Sequence, residues 1–360
     1  MEVIRLRISR ILYIISVLCM LNNCLAADEV TLYGDADFAG NSKVFRGDTP
    51  WVGDDFNDIT SSLKIPEGMW IILYDDVDYG GRAEVFTDDT SWVGSDFNDI
   101  VSSFRLTPGG EVTLYDDADF AGRSKVFRGN TPWVGDDFND ITSSLKIPEG
   151  KAIMVFEDVD YRGRARVFTS DASWVGSDFN DIVSSFKFID LREGDIIYGF
   201  SVIPNHVGIV VNDDDGKLVV REAWPRDDAN AYKGVSNIDI SSFSGARESP
   251  HWLAKNGGFL EVAILRANVD DLTAHQAAEN AKRMSGTYQG DFFEVKRTFQ
   301  GIDYWSDDDD EWYCSKLVWK AYADEDVYLK PLTGGQIEVP VTPDEILLSD
   351  QVSKLYSYIP

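Results

Sequence analysis

Few residues in this chain have the types and spacing for covalent chemistry. The segment WYCSKLVWKAY, Trp312–Tyr322, holds Cys314, the single thiol left once a leader carrying Cys19 and Cys24 is removed. A lone thiol has no disulfide partner, so its role is packing or reactivity. Apolar residues at 317, 318 and 321 follow at helical spacing, so Cys314 is expected to open a helix and its buried stripe. The positive end of that helix favours thiolate, and a nearby base would complete the activation of a group whose ordinary pKa is ~8.5. His206 begins the apolar strand HVGIVV, where an imidazole can face a cleft. His275 sits among Ala and Gln in a helix and is expected to be exposed; His251 follows Pro250 in a loop. Glu222 lies on the next strand, KLVVREAW. A zinc site from His206, Glu222 and Cys314 has suitable ligand types but lacks a closely spaced ligand pair.

A second chemistry is repeated. FNDITSS at Phe56–Ser62 returns as FNDIVSS from Phe97, FNDITSS from Phe138 and FNDIVSS from Phe179, a step of 41 residues from Asn57 to Asn98. Carboxylates, hydroxyls and carbonyls on such turns are the hard oxygen ligands that Ca²⁺ takes. The same residue types also cap turns without any ion.

The elements that must position these groups fall into two grammars. Residues 30–188 are four copies of one unit, and the alternation of Thr and Val shows that a two-copy block was itself duplicated. Each copy opens on a strand (VTLY, WIILY, VTLY, AIMVF), turns through an Asp-rich segment ending in glycine, and returns (KVF, AEVF, KVF, ARVF). Short strands between Asp/Gly turns predict an all-β sandwich. The openings read aromatic-x4-aromatic-x-Gly: Tyr33/Phe38/Gly40, Tyr74/Tyr79/Gly81, Tyr115/Phe120/Gly122 and Phe156/Tyr161/Gly163. That fixed glycine is expected at positive φ.

In both signatures, the aromatic/glycine hairpin and the motif Asn/Asp-Asn/Asp-x-x-Ser/Thr-Ser, the chain resembles the βγ-crystallin superfamily. The resemblance implies Greek-key motifs pairing into two domains, 27–107 and 108–188, with calcium as ligand. It also implies side-chain oxygens from Asp58, Asp99, Asp140 and Asp181 and from Ser61, Ser102, Ser143 and Ser184. Backbone carbonyls of Ile59, Ile100, Ile141 and Ile182 would join them.

Residues 189–360 read differently. GDIIYG, HVGIVV, KLVVREAW and FLEVAILRA are expected strands, with NDDDGK a hairpin turn. DDLTAHQAAENAKRM is an expected helix capped by Asp270 or Asp271, with Leu272, Ala278 and Ala281 on one face. Strands followed by helices without clean βαβ alternation indicate α+β. No Pro/Gly/Ser linker precedes this region, so a close junction with the repeats is expected. REGDIIYG, NHVGIVV, LVVREAW, SGTYQGDFF and WYCSKLVWKAY, in that order, resemble the circularly permuted NlpC-like papain-fold hydrolases of the YiiX/YebB-like group. The histidine precedes the cysteine, as in the permuted form. The resemblance implies Cys314 as nucleophile, His206 as base and Glu222 orienting the imidazole, with Tyr313 shaping the site and no cofactor for catalysis. Lys316 departs from the acidic residue often found two after the cysteine, and the run Asp307–Glu311 places negative charge just before the thiol. Asp195 and Asp291 also have counterparts in that group; both read here as turn or cap residues.

Composition bounds the rest. Arg5, Arg7 and Arg10 precede the short apolar run ILYIISVLCML and a small-residue site at Cys24-Leu25-Ala26, the layout of a signal peptide over residues 1–26. The expected location is therefore periplasmic or secreted. No later stretch is apolar enough to span a bilayer. With 62 acidic and 33 basic residues the net charge is −29, which repels phosphate backbones and argues against a nucleic-acid partner. The expectation is an exported cysteine hydrolase acting on a peptide or lipid amide, a cell-wall peptide foremost, whose repeats associate with the cell-envelope surface. A lipid ester, or acyl transfer, would call for an apolar channel, which Trp224, Phe243, Trp252, Trp305 and Trp312 could line. The competing expectation is a non-enzymatic calcium-binding protein.

Overall fold

The computed structural model describes residues 29–200, 205–224, 234–241, 260–285, 287–288, 311–312, 314–329 and 341–359. The leader, His251, Asp291, Tyr313, Phe243, Trp252, Trp305 and Asp307–Asp310 lie outside them, as do the side chains of Trp224 and Trp312. Two compact units result: one runs to Gly109 without Gly80–Ala83, and the other takes that short segment and everything from Gly110 onward. No helix of the described residues is long and apolar enough to cross a membrane.

Each repeat makes a three-stranded antiparallel sheet with its first strand central. The first is β2-β1-β3, from β1 (Glu29–Asp35), β2 (Ala39–Arg46) and β3 (Ser62–Lys64). The second uses β4 (Met69–Tyr74), β5 (Ala83–Phe86) and β6 (Ser103–Pro108). The third has β7 (Glu111–Tyr115), β8 (Ser124–Arg128) and β9 (Ser144–Lys146), and the fourth β10 (Ala152–Asp158), β11 (Arg162–Phe168) and β12 (Ser185–Ile189).

Alternation decides which face is buried: in β1, Val30 and Leu32 are fully buried while their neighbours face outward. The β1–β2 hairpin is tight enough that Asp37 and Phe38 take φ of 58° and 61°, and Gly40 takes 74°. A Cβ on Gly40 would sit 2.5 Å from an Asp35 carboxylate oxygen, which is why glycine is required there. The Tyr33 and Phe38 rings close the turn edge to face at 5.8 Å.

Neighbouring copies complete each other. In the first unit Thr90, from copy two, bridges to Leu63 of β3, and Thr49, from copy one, bridges to Phe104 of β6. Leu145↔Ala172 and Thr131↔Phe186 reproduce the exchange in copies three and four.

Beyond β12 the chain builds a six-stranded antiparallel sheet, order β16-β15-β14-β13-β17-β20. Its strands are β13 (Ile196–Phe200), β14 (His206–Asn212), β15 (Leu218–Trp224), β16 (Gly234–Ile238), β17 (Glu261–Ala267) and, after the two-residue β18 (Thr287–Tyr288) and β19 (Glu311–Trp312), β20 (Val352–Tyr358). One face packs on helices α1 (Asp271–Arg283), α2 (Cys314–Ala323) and α3 (Pro343–Leu347) through Val207, Ile209, Ala263, Ala278, Leu317 and Ile346. Asp270 caps α1, accepting the Thr273 N–H at 2.8 Å. Ala278 and Ala281 are buried as expected, but Leu272, in the first turn, is 67% exposed.

The other face carries Ile197, Val210, Val220, Val262 and Ile264, and the fourth repeat covers it with Ala152, Met154, Phe156, Ala165 and Val167. This explains why AIMVF lacks the alternation of VTLY: both faces of β10 are buried. Main-chain bonds add to the junction, Ala165 N–H to Ile359 O at 2.8 Å among them.

Candidate functional site

His206 opens β14 and Glu222 lies near the end of β15. The hairpin register pairs Ile209 with Arg221, so Glu222 stands opposite Gly208, on the same face as His206 two residues earlier. Glycine matters here: a Cβ at 208 would come within 2.3 Å of a Val220 methyl and 3.5 Å of the Glu222 Cβ. With that space open, Glu222 Oε2 reaches His206 Nε2 at 2.8 Å. Both residues are buried. Nδ1 is then the nitrogen left for the hydrogen bond between the His206 and Cys314 side chains.

Cys314, half-buried, is the first residue of α2. Burial opposes its thiolate, but the His206 charge and hydrogen bond outweigh that, helped by the Val207 and Ser315 backbone N–H groups, so the thiol pKa is lowered. For His206 burial likewise favours the neutral ring. Cys314 and then Glu222 overcome it, and the imidazole is pushed up to about 9. A thiolate–imidazolium pair with an orienting carboxylate is the state these shifts favour. The three residues expected from the sequence thus meet in one place.

Asp195 is more than a turn residue. It accepts the Arg192 N–H at 2.9 Å, and it also receives Arg266 through two bonds of 2.7 Å while buried. Asp190 completes this cluster with Arg192 and Arg266. Its burial would raise the carboxyl pKa, but the two guanidinium groups hold it well below the usual range. The pattern of a buried ion network has no periodicity, which is why only the turn role was readable.

In the repeats, the motif residues meet across copies rather than within them. Asp58 N–H bonds Val101 O and Asp99 N–H bonds Thr60 O, so the two loops of the first unit cross reciprocally. Ser61 Oγ then lies 3.4 Å from Asp99 Oδ1, and Ser102 Oγ lies 2.7 Å from Asn57 Oδ1. In the second unit Ser184 Oγ lies 3.2 Å from Asp140 Oδ1, and Asp181 N–H bonds Thr142 O. All four aspartates, Asp58, Asp99, Asp140 and Asp181, have φ near 60°, a left-handed turn that Asp tolerates.

The two serines of each motif divide their work. The sixth-position serine pins its own hairpin, Ser62 Oγ bonding Asp35 O at 2.7 Å and accepting Phe38 N–H at 3.0 Å. The fifth faces the crossed loops; Ser61 and Ser143 also reach the Gly34 and Asp116 carbonyls at 3.1 and 2.9 Å. Those carbonyls were missed in the sequence reading, although each directly follows the first aromatic of its hairpin.

The oxygen sets suit a hard cation. Asn139 Oδ1 and Asn180 Oδ1 are buried without a hydrogen-bond partner beside the Asp140 and Asp181 carboxylates, and an ion would satisfy them. One cleft is lined by Asn139, Asp140, Asp181, Ile182 and Ser184 together with Glu157, Asp158 and Trp133. Among the third-position isoleucines, the Ile59 carbonyl oxygen sits beside the Gly34 backbone and Ile182 lines that cleft; Ile100 and Ile141 hold the same place in their loops.

Residues 29–107 match the family described as Beta/Gamma crystallin, and residues 107–168 match Peptidase inhibitor family I36. The two matches fall on nearly the same sequence: residues 29–68 and 111–150 differ only at Gly34/Asp116, Asn41/Arg123 and Asp48/Asn130. Neither extends into residues 189–360. Similar solved structures include a βγ-crystallin domain of Clostridium beijerinckii in a double-mutant form, at 32% identity over 22% of this chain and 94% of that one, TM-score 0.21. Others are a domain of Flavobacterium johnsoniae, at 34% over 22% and 93%, TM-score 0.21, and an archaeal βγ-crystallin, at 31% over 22% and 98%, TM-score 0.21. A nickel complex of a clostrillin double mutant is also similar, at 28% over 22% and 95%, TM-score 0.21. Comparison with curated proteins gives no match.

Proposed function

We propose that this chain, which belongs to the βγ-crystallin family through residues 29–107, is an exported cysteine hydrolase carried on calcium-binding Greek-key repeats. Its hydrolase part would be residues 189–360, of the permuted NlpC-like papain kind. The observation that carries this reading is the hydrogen-bonded line from half-buried Cys314 through buried His206 to buried Glu222.

In the reaction the Cys314 thiolate attacks an amide carbonyl, and backbone N–H groups at the start of α2 would stabilise the oxyanion. The His206 imidazolium gives its proton to the departing amine as the C–N bond breaks and a thioester forms. Neutral His206 then takes a proton from water, which attacks the thioester; the thiol leaves and the product acid is released. Glu222 Oε2 accepts Nε2–H, orients the ring and stabilises the imidazolium. A peptide amide, such as one in the cell wall, is the favoured substrate; a lipid amide or ester is the alternative. Calcium, when bound, would supply the positive charge that lets the crossed Asp58/Asp99 and Asp140/Asp181 loops coexist.

The test is the alkylation rate of Cys314 against pH, with and without His206→Ala. The proposal expects a reactive thiolate well below pH 8 that disappears in the variant. A slow thiol titrating near or above ~8.5 in both proteins would make Cys314 a packing residue.

A further inference from the structure

A separate cluster on the second unit has ligand chemistry that neither the thiol site nor the repeat loops use. Glu193, on the turn before β13, and His275 and Glu279, on α1, bring one nitrogen and two carboxylate oxygens within 4.8 Å of one another. The spacing of four puts His275 and Glu279 on one helix face. Glu193 is already aimed at them: its Oε1 accepts the Asn212 N–H at 3.0 Å, and its Oε2 lies 2.8 Å from His275 Nδ1. Glu279 is held by Lys282 at 2.8 Å, a contact one turn along the same helix. His275 is half exposed, so the cluster is open to solvent.

We propose that Glu193, His275 and Glu279 form a binding site for a divalent transition-metal ion, with zinc the best fit. The donor set decides the class. Calcium and magnesium take oxygen ligands and leave imidazole unused, whereas zinc combines imidazole with carboxylates. Three protein ligands with water in the fourth position make a tetrahedral sphere with bonds of about 2.0–2.2 Å. Ligand atoms on such a sphere sit ~3.3 Å apart. Small rotations of the exposed His275 ring, and of Glu279 away from Lys282, close the gap.

The ion would clip α1 to the β13–β14 layer, next to the existing Arg192–Asp271 ion pair at 2.9 Å. Helix α1 in turn supports the helix that begins with the thiol, through Asn280 Nδ2 donating to Ala321 O at 3.2 Å. The site therefore lies outside the reacting groups, as a fastening of the helix behind them.

The experiment uses the full mature chain carrying Cys314→Ser, so that zinc has no thiol to bind, and saturating calcium to fill the oxygen loops. Zinc is titrated calorimetrically, and cobalt(II) is used as a spectroscopic stand-in for the coordination sphere. The expected result is one zinc site and tetrahedral cobalt bands, with affinity falling at least tenfold in both His275→Ala and Glu279→Gln. Zinc should also raise the unfolding temperature of the parent and not of the variants. Identical isotherms in the parent and both variants, or no zinc binding, would overturn the proposal. Circular dichroism confirms that each variant is folded; should one fail to fold, the other decides the question.

Discussion

Met154 is 2% exposed and lies in the apolar layer between the fourth repeat and the six-stranded sheet. The equivalent residue in copies one and three is Thr31 or Thr113, so Met154→Thr restores a side chain the Greek key tolerates in the same register. Any loss must therefore come from the junction. Truncating a buried methionine costs about 2–5 kcal/mol. For a unit of roughly 250 residues that corresponds to a drop of about 4–20 °C in unfolding temperature. Two probes should move together: hydrogen exchange of the β10–β12 amides, reporting the fourth repeat, and the accessibility of Cys314 to a thiol reagent, reporting the sheet and its helices. The control is Thr113→Ala, half-buried in β7, which should shift either probe by only about 0.5 kcal/mol. If Met154→Thr speeds exchange in β10–β12 and leaves Cys314 protection unchanged, the shared core does not couple the repeat to the sheet and the reasoning fails.

Other outcomes follow from the same contacts. Activity should be bell-shaped in pH. Below the lowered thiol pKa the nucleophile is protonated, and above about 9 His206 has lost the proton the leaving amine needs. Glu222→Gln should move the alkaline limb toward neutral pH and lower kcat on the order of 10²–10⁴-fold. Arg266→Met should destabilise by about 3–5 kcal/mol, because Asp190 and Asp195 are left buried without that guanidinium. Asp190, with its pKa depressed on folding, contributes stability above ~3.9 that is lost as the pH falls through its folded value, so acid unfolding curves should converge for parent and variant. Calcium at 100 times its Kd should stabilise by about 2.7 kcal/mol per site, measured by thermal unfolding. Ser184→Ala should weaken the site holding Asp140, in the neighbouring copy, which mutant calcium titrations would show.

The repeat was the most legible feature, since a step of 41 residues repeats hairpin, glycine and acidic loop together, and Gly40, Gly81, Gly122 and Gly163 all take positive φ. The left-handed Asp and aromatic residues beside them were not legible, because L residues there are forced by the closure of the turn. The motif named the right oxygens but not their partners: local spacing cannot show that Ser61 faces Asp99, 38 residues away. The lost alternation of AIMVF could have announced a second buried face. Copies one and three hold a finer signal. Two of their three differences, Gly34→Asp116 and Asn41→Arg123, create one ion pair at 2.7 Å. The third keeps its function, since Asp48 and Asn130 accept the N–H of Leu106 and Phe188 alike. For the thiol site the residue types were readable, whereas the contact between His206 and Glu222 depends on Gly208, whose importance only the strand geometry shows.

The reciprocal crossing of the repeat loops also constrains how the gene can change length. Near-identical tracts invite unequal recombination, and copies one and three are in register 82 residues apart, from Glu29 to Glu111. A crossover between them excises two copies and joins a hybrid first motif to an intact copy four, whose Met154 surface the sheet requires. Loss of a single copy would instead leave one loop without its reciprocal serine and one strand without its bridging segment. Natural length variants of this chain should therefore carry two or four repeats, or six, and odd numbers should be eliminated as unfolded.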